Sequence, residues 1–208
     1  MTIQLSAEGL RKTFNRRTIF DGVTFTASQG QTVLVTGRNG SGKSTLVKLL
    51  AHVLTPSSGG STLTVGDRPV SDLEWPSYIG LVSPYLQLYE EFSAEENLGL
   101  ALTMRGWKVD SGRVLELLGN VQLGHRAGDV VRTYSSGMKQ RMKLAFALIH
   151  RPAVLFLDEP MTNLDADGIA LVRRTMRKQR ESGILVVATN DLTDVEEFEA
   201  KVDLDARR

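Results

Sequence analysis

The amino-acid sequence predicts an α/β fold with a mostly parallel sheet, and three observations support that prediction. A glycine-rich stretch at residues 37–44 stands between a strand-like run at 32–36 and a helix-like run at 45–51. Two further short apolar runs, at 154–157 and 184–188, are typical of fully buried strands in a parallel sheet. Segments with helical spacing of apolar residues lie between these runs, so strands and helices alternate along the chain.

The composition is that of an ordinary globular protein. The chain has 208 residues, of which 41% are hydrophobic and 24% are charged, enough for the single domain that we expect over residues 1–208. Its net charge of +1 provides no overall field that would recruit nucleic acid or anionic lipid. The absence of cysteine excludes disulfides and thiolate metal sites. We find neither a signal-peptide pattern at the N-terminus nor an apolar run long enough to span a membrane.

The remaining segments predict a small β region and a helical region beside the α/β core. Residues 1–28 alternate apolar and polar side chains and predict antiparallel strands. Residues 55–82 carry several glycines and prolines between strand-like pieces, which predicts a small β region. Residues 92–150 are mostly helical in pattern, and 170–180 form a further helix that ends near a glycine. Residues 191–208 are charged and predict a short helix followed by a frayed tail.

The glycine-rich stretch matches the phosphate-binding pattern G-x-x-x-x-G-K-[ST]. Its glycines let backbone N–H groups turn toward phosphate oxygens, and the following helix N-terminus adds dipole attraction for anions. Lys43 can reach the β- and γ-phosphates and is expected to lie outside the hydrophobic core, while the Ser44 hydroxyl can ligate Mg²⁺. The candidate phosphate-binding residues are Gly37, Asn39, Gly40, Ser41, Gly42, Lys43, Ser44 and Thr45.

A pair of acidic residues follows the apolar strand at 154–157. Asp158 and Glu159 come at its carboxyl end, the edge of an open α/β sheet at which ligands bind. Asp158 can hold Mg²⁺ through water, because Mg²⁺ keeps several waters and uses few protein carboxylates. Glu159 points elsewhere and can accept a proton from a water that attacks the γ-phosphate. The alternative is an acidic turn after a core strand, which fits less well beside a phosphate loop.

A third motif, residues 134–138, begins a helix that continues to residue 149. Serines and a glycine at a helix N-terminus offer hydroxyls and free N–H groups to an anion. A plain helix cap is the commoner use of such residues. By itself the motif does not decide between an anion-binding site and a plain helix cap.

The order of the motifs resembles that of the nucleotide-binding subunit of ABC transporters, from about residue 3 to residue 191. The stretches that carry the resemblance are the phosphate loop, Tyr134-Ser135-Ser136-Gly137-Met138, Leu157-Asp158-Glu159-Pro160 and Asn163-Leu164-Asp165. The second stretch resembles the family's signature in the form found in small ATP-binding subunits of polysaccharide, drug and haem exporters. The resemblance implies a P-loop NTPase core, a small antiparallel β region and a helical subdomain at about 92–150. It also implies ATP hydrolysis, with Mg²⁺, that powers an exporter.

The resemblance also implies partners and further site residues. Two subunits, expected to be copies of this chain although a related chain stays possible, would meet head to tail around two ATP molecules. Ser135 and Gly137 of one subunit would complete the phosphate site of the other, and Asp165 would lie in the D-loop. Phe14 falls where the family places an aromatic side chain that stacks on adenine. A multi-span membrane permease would hold the protein at the cytoplasmic face of the membrane, and no nucleic-acid partner is implied.

Two positions depart from the family's pattern. Pro84 aligns with a glutamine that usually ligates Mg²⁺, and Gln87, three residues later, is either its replacement or a surface residue. Asn190 stands where the family usually has a histidine that contacts the γ-phosphate. Its amide can donate a hydrogen bond but cannot carry a proton or a charge. It either holds the γ-phosphate, and so joins Glu159 as a catalytic candidate, or ends its strand by turn chemistry.

Two other functions compete with a transport ATPase. The first is a soluble ATPase that acts on ribosomes or DNA, but such proteins usually carry two domains or a long insertion, and the charge argues against a nucleic-acid surface. The second is a domain that binds ATP and closes but scarcely hydrolyses it. The unusual residues at 84 and 190 leave that alternative open, and Glu159 argues against it.

Overall fold

The N-terminal strands belong to an antiparallel sheet of four strands. In the computed structural model, which describes residues 2–206, strand β1 (Ile3–Phe14) pairs with β2 (Arg17–Ser28) and with β4 (Ser58–Val65). The short strand β5 (Arg68–Pro69) extends the sheet, whose order is β2-β1-β4-β5. The prediction of antiparallel strands before residue 29 is therefore confirmed for the described residues.

The second sheet has five strands, and every neighbouring pair in it is parallel. Its order is β6-β7-β8-β3-β9, and the strands are β3 (Thr32–Thr36), β6 (Ile79–Val82), β7 (Val154–Asp158), β8 (Ile184–Ala188) and β9 (Ala200–Asp203). Strands β3, β7 and β8 are buried along their whole length, as expected for strands with both faces covered. The predicted α/β fold with a parallel sheet is confirmed.

Six α-helices lie in the described part of the chain. They are α1 (Lys43–Leu50), α2 (Trp75–Tyr78), α3 (Ala94–Thr103), α4 (Ser111–Asn120), α5 (Ser136–Leu148) and α6 (Ala166–Ser182). Helices α3 to α5 fill the predicted helical region, and α3 begins with a capping box between Ser93 and Glu96, which satisfies two free N–H groups. None of the helices within residues 2–206 combines the length and the apolar character that crossing a membrane requires.

The parallel sheet separates two hydrophobic clusters. Leu34 belongs to the cluster that includes α3 to α6, whereas Val33 and Val35 belong to the cluster that includes α1 and the antiparallel sheet. Successive side chains of a strand point to opposite faces, so the two clusters cover the two faces of the sheet. This packing fixes the carboxyl edge of the sheet between them.

Two segments differ from the sequence expectation. Residues 55–82 do not form one β region, because β4 and β5 join the antiparallel sheet while α2 and β6 lead into the parallel one. Residues 191–206 contain a single 3₁₀ turn, Leu192–Asp194, and then β9, which pairs with β3, instead of a frayed tail. Val202 and Leu204 are buried there, and burial at the sheet edge outweighs the charged local sequence; residues 207 and 208 lie outside the described part.

Candidate nucleotide-binding site

The phosphate loop connects β3 with α1 and requires its glycines. Gly37, Gly40 and Gly42 have φ of 144°, 77° and 106°, a region that side chains with a Cβ rarely adopt. A Cβ at Gly37 would lie 2.5 Å from the Ser41 hydroxyl oxygen, and one at Gly42 would lie 2.5 Å from a methyl carbon of Ile19. The loop therefore holds its shape by backbone conformation and by close packing.

Lys43, the first residue of α1, is the centre of the polar contacts at this edge. Its Nζ donates to the carbonyl oxygen of Gly37 at 2.9 Å, hydrogen-bonds Oδ1 of Asn190 and lies 3.5 Å from Oε1 of Glu159. Although it belongs to neither hydrophobic cluster, Lys43 is only 6% exposed. The sequence did not reveal this burial, which makes the lysine a fixed cation instead of a mobile surface charge.

Asp158, at the end of β7, is a buried carboxylate with one oxygen that accepts no hydrogen bond from the described residues. It is 1% exposed, and its Oδ1 has no hydrogen-bond partner among the described residues. Burial raises the pKa of Asp158, while the Ser44 and Ser83 hydroxyls and the Lys43 ammonium favour its ionised form. A buried carboxylate oxygen without a partner is uncommon, and oxygen ligands are those that Mg²⁺ prefers. Asp158 and Ser44 therefore fit a Mg²⁺ site.

Glu159 occupies a strained position beside Lys43. Its N–H donates to the Ala188 carbonyl oxygen at 2.8 Å and its φ is 50°, in a left-handed region that costs free energy for a residue other than glycine. Burial is the largest influence on the pKa of Glu159 and raises it, whereas Lys43 lowers it. The carboxylate is thus held near the phosphate loop with a pKa moved toward neutrality, as suits a proton acceptor.

Asn190, directly after β8, connects the last central strand with the phosphate loop. Its Oδ1 accepts a hydrogen bond from Lys43, and its Nδ2 donates one to Oδ1 of Asn39. The turn that follows is capped instead by Asp191, whose carboxylate accepts from the Thr193 N–H at 2.9 Å. The side chain of Asn190 is therefore directed to the loop, which supports the phosphate-site interpretation over plain turn chemistry.

In the segment after β6, Ser83 and not Gln87 contacts Asp158, and sequence reasoning missed Ser83. Gln87 is exposed, and no hydrogen bond joins it to Ser44 or Asp158 among the described residues. Ser83 is 3% exposed, and its hydroxyl donates to Oδ2 of Asp158 at 3.4 Å. No signal in the sequence indicated it, because only the parallel pairing of β6 with β7 brings Ser83 beside Asp158.

The signature stretch lies at the N-terminus of α5. Ser135 caps the helix by accepting the Met138 N–H at 3.2 Å. A Cβ at Gly137 would lie 3.3 Å from the Asn163 carbonyl oxygen, so this stretch lies beside the D-loop of the same chain. Within residues 2–206, no hydrogen bond or ion pair joins residues 134–138 to the phosphate loop.

Asp165 and Phe14 are the remaining candidates from the resemblance. Asp165 caps α6 by accepting the Gly168 N–H at 2.8 Å, and it accepts a charged hydrogen bond from Arg141 of α5 at 2.9 Å. Phe14 ends β1 and is 43% exposed, with Nζ of Lys12 4.8 Å from its ring centroid. The ring is available to a planar partner, although its relation to a bound base is a prediction.

Comparison with known families agrees with this geometry. The sequence profile of a family described as ABC transporter matches residues 20–162. These residues include the phosphate loop, the stretch that caps α5 and the acidic residues Asp158 and Glu159.

Relatives of known designation cover most of the chain. The linearmycin resistance ATP-binding protein of Bacillus subtilis is 31% identical over 93% of this chain, which spans 63% of that relative's length. The lantibiotic transport ATP-binding protein of Streptococcus pyogenes is 33% identical over 92% of this chain and 82% of its own. The aliphatic sulfonates import ATP-binding protein of Pseudomonas putida is 36% identical over 92% of this chain and 69% of its own.

Solved structures share the fold at low sequence identity. A putative ABC transporter ATP-binding protein from Pyrococcus furiosus has a TM-score of 0.81 at 21% identity, with 98% of both chains covered. The dimeric MJ0796, described as a bacterial ABC transporter cassette, has a TM-score of 0.83 at 23% identity, covering 96% of this chain and 93% of that one. Together with the matched profile and the phosphate-loop geometry, these findings establish that the chain belongs to the ATP-binding ATPases of the ABC transporter family.

Proposed function

We propose that this protein hydrolyses ATP in a head-to-tail dimer and thereby powers an ABC-type membrane exporter. The observation that carries the proposal is the arrangement around Lys43. A buried cation, a phosphate loop, a carboxylate with a raised pKa and an asparagine amide converge at one sheet edge. These groups supply one half of a binding site for a nucleoside triphosphate.

Binding and metal retention use different residues of this half-site. The N–H groups of residues 37–44 and the Lys43 ammonium hold the β- and γ-phosphates. Ser44 and Asp158 would hold Mg²⁺, whereas Gln87 is exposed and has no hydrogen bond to either residue within the described part of the chain. When bound, Mg²⁺ neutralises charge on the phosphate oxygens. Phe14 stacks on the adenine ring.

Proton transfer in hydrolysis is assigned to Glu159. As the water oxygen bonds to the γ-phosphorus, its proton passes to the Glu159 carboxylate, and the bond between the γ-phosphorus and the bridging oxygen breaks, which releases ADP and phosphate. Asn190 aligns the γ-phosphate through its amide but takes no proton, because an amide does not titrate in this range. The ion pair with Lys43 at 3.5 Å favours the ionised form of Glu159 that the reaction needs.

The second half of the site comes from another subunit. Ser135 and Gly137 lie at a helix N-terminus, where free N–H groups attract anions, and they have no hydrogen bond to the phosphate loop of their own described chain. A dimeric neighbour in fold supports an arrangement in which they meet the phosphates bound to a second copy. Asp165, beside this helix, lies at the same interface.

Export through a permease at the cytoplasmic face of the membrane is the remaining part of the proposal. The signature form at residues 134–138 and the linearmycin resistance relative support export. The relatives also include an import protein, so the decisive test is the direction of transport by the assembled complex in inside-out vesicles. ATP-dependent uptake into such vesicles is expected, and release from them would overturn the assignment of export.

Nucleotide-dependent dimerisation tests the site itself. Glu159→Gln should bind ATP without turning it over and give a dimer by light scattering, while ADP should leave monomers because the γ-phosphate is missing. The sandwich would be refuted by monomers under saturating ATP at high protein concentration, provided that binding is confirmed and the assembled complex gives the same answer.

The alternative function is a clamp, that is, a domain that closes around ATP without hydrolysing it. The specific observation in its favour is Asn190, whose side chain contacts Lys43 and Asn39 but cannot act as an acid or base. Failure of the unmodified protein to hydrolyse ATP with its permease present, together with turnover in Asn190→His, would favour the clamp.

A further inference from the structure

Helix α5 is tied to the segment that follows β6 by lysine side chains. Nζ of Lys143 donates to the carbonyl oxygens of Ser83 and Pro84, each at 3.2 Å. One turn earlier on the helix, Nζ of Lys139 donates to Oε1 of Glu90 at 2.6 Å. Residues four apart lie on the same face of a helix, so α5 presents two cations to residues 83–90.

Ser83 is the point at which this contact reaches the metal carboxylate. Its carbonyl oxygen accepts from Lys143, while its hydroxyl donates to Oδ2 of Asp158 at 3.4 Å and accepts the Tyr85 N–H at 3.3 Å. Ser83 is 3% exposed. A continuous series of hydrogen bonds therefore runs from α5 through one residue to Asp158.

We propose that Ser83 and Lys143 are positioning residues for the ATPase reaction: Lys143 fixes the backbone of Ser83, and the Ser83 hydroxyl fixes the Asp158 carboxylate. The proposal rests on the proposed function. Because Ser135 caps α5 and Gly137 lies in its first turn, the helix links the stretch proposed to meet a second subunit's nucleotide with the carboxylate proposed to hold this subunit's metal. No glutamine takes part in this link.

The chemistry of the three groups explains why the link has a defined geometry. The ammonium of Lys143 is partly buried, and two carbonyl oxygens replace water that it has lost. A hydroxyl has one proton and two lone pairs; at Ser83 the proton goes to the carboxylate and a lone pair to the Tyr85 N–H. A displacement of α5 against β6 lengthens these bonds and weakens them, so the orientation of Asp158 follows the position of α5.

The test separates metal-dependent binding from binding as a whole. A fluorescent ATP analogue is titrated onto each variant with Mg²⁺ and again with a chelator. The affinity with Mg²⁺ divided by the affinity with the chelator measures what the metal contributes to binding. In Ser83→Ala this ratio should fall about tenfold, the low end of what loss of a residue behind a metal ligand costs, with the chelator affinity unchanged. Ser83→Thr keeps the hydroxyl and should restore the ratio.

Lys143→Met removes the ammonium and keeps the length of the side chain. The ratio of affinities should fall, but by less than in Ser83→Ala. Amide hydrogen exchange at Tyr85 should become faster in the nucleotide-free protein. Lys139→Met is the matched control, since it removes a cation from the same face of α5 without touching Ser83, and both measurements should stay as in the unmodified protein.

The link would be overturned if Ser83→Ala left the ratio of affinities with and without Mg²⁺ unchanged, or lowered both affinities equally. It would also be overturned if Gln87→Ala lowered this ratio and Ser83→Ala did not. The last outcome would return the metal contact to Gln87. The proposed function fails by a different result, absence of ATP-dependent dimers and of hydrolysis in the assembled complex, which leaves these binding ratios measurable.

Discussion

The phosphate loop and the N-terminus of α5 both offer N–H groups to an anion, yet their surroundings differ. Around the loop, the side chains of three distant parts of the chain contact one another through Lys43, Glu159 and Asn190. At α5, the one hydrogen bond of the Ser135 hydroxyl within residues 2–206 is accepted from the N–H of Met138 in its own helix. The first region is organised by tertiary contacts within the chain, whereas the second is a helix end whose proposed ligand is the nucleotide bound to a second subunit.

Glu159→Gln gives the largest expected effect, because it removes the proposed proton acceptor from the organised region. Loss of a general base costs about 10²–10⁴-fold in rate, and ATP binding should persist. Steady-state phosphate release measures the loss, and Glu116→Gln, an exposed glutamate on α4, is the control. A loss of less than tenfold would mean that the proton goes elsewhere.

Lys43→Ala should lower ATP affinity by about tenfold or more, because a buried charge-assisted contact to the phosphates is lost. Since Lys43 is buried and also pairs with Glu159, some thermal stability should be lost too, and circular dichroism should show the same secondary structure. Equilibrium binding and thermal melting measure the two effects. An unaltered ATP affinity would mean that the loop is only structural.

The two helix caps Ser135 and Asp110 allow a matched comparison. Asp110 caps α4 by accepting the Arg113 N–H at 3.2 Å, just as Ser135 caps α5. Each change to alanine should cost about 1 kcal/mol of stability. Only Ser135→Ala, in the Glu159→Gln background, should weaken the ATP-dependent dimer, and neither should change ATP affinity of the monomer. Equal weakening in both variants would show that α5 acts only through its stability.

Asn190→Ala should reduce turnover less than Glu159→Gln does, because it removes an aligning contact and not the proton acceptor. Asn190→His should be tolerated, since both side chains can present an N–H to the strand end. Turnover at saturating ATP is the measurement for both. A greater loss in Asn190→Ala than in Glu159→Gln would exchange the two roles.

The pH dependence of turnover gives the smallest and most specific effect. Burial raises the pKa of Glu159 above its usual 4.5, and the residue accepts a proton only when ionised, so activity should fall as the pH drops through that raised value. Lys43 favours the ionised form, and Lys43→Ala should move the acid limb of the profile to higher pH. An acid limb at or below the ordinary value for glutamate would contradict the burial argument.

Much of the fold was predictable because its signals are local. The strands around the phosphate loop are short apolar runs, and the loop carries its own conformational requirement in three glycines. Strand β9 escaped prediction because its sequence is charged, and only pairing with β3 buries Val202. Ser83 escaped because a serine beside a proline has no distinctive pattern until β6 and β7 lie side by side.

The sequence by itself determined the alternation of strands and helices in the core, the phosphate loop, the acidic pair Asp158 and Glu159 and the resemblance to ABC ATPases. Each of these depends on consecutive residues whose chemistry is local. Only the tertiary structure decided that Lys43 is buried, that Asn190 reaches Lys43 and Asn39, and that Ser83 instead of Gln87 contacts Asp158. Those contacts join residues far apart in the chain, and they exist because the parallel sheet brings the carboxyl ends of its strands to one edge.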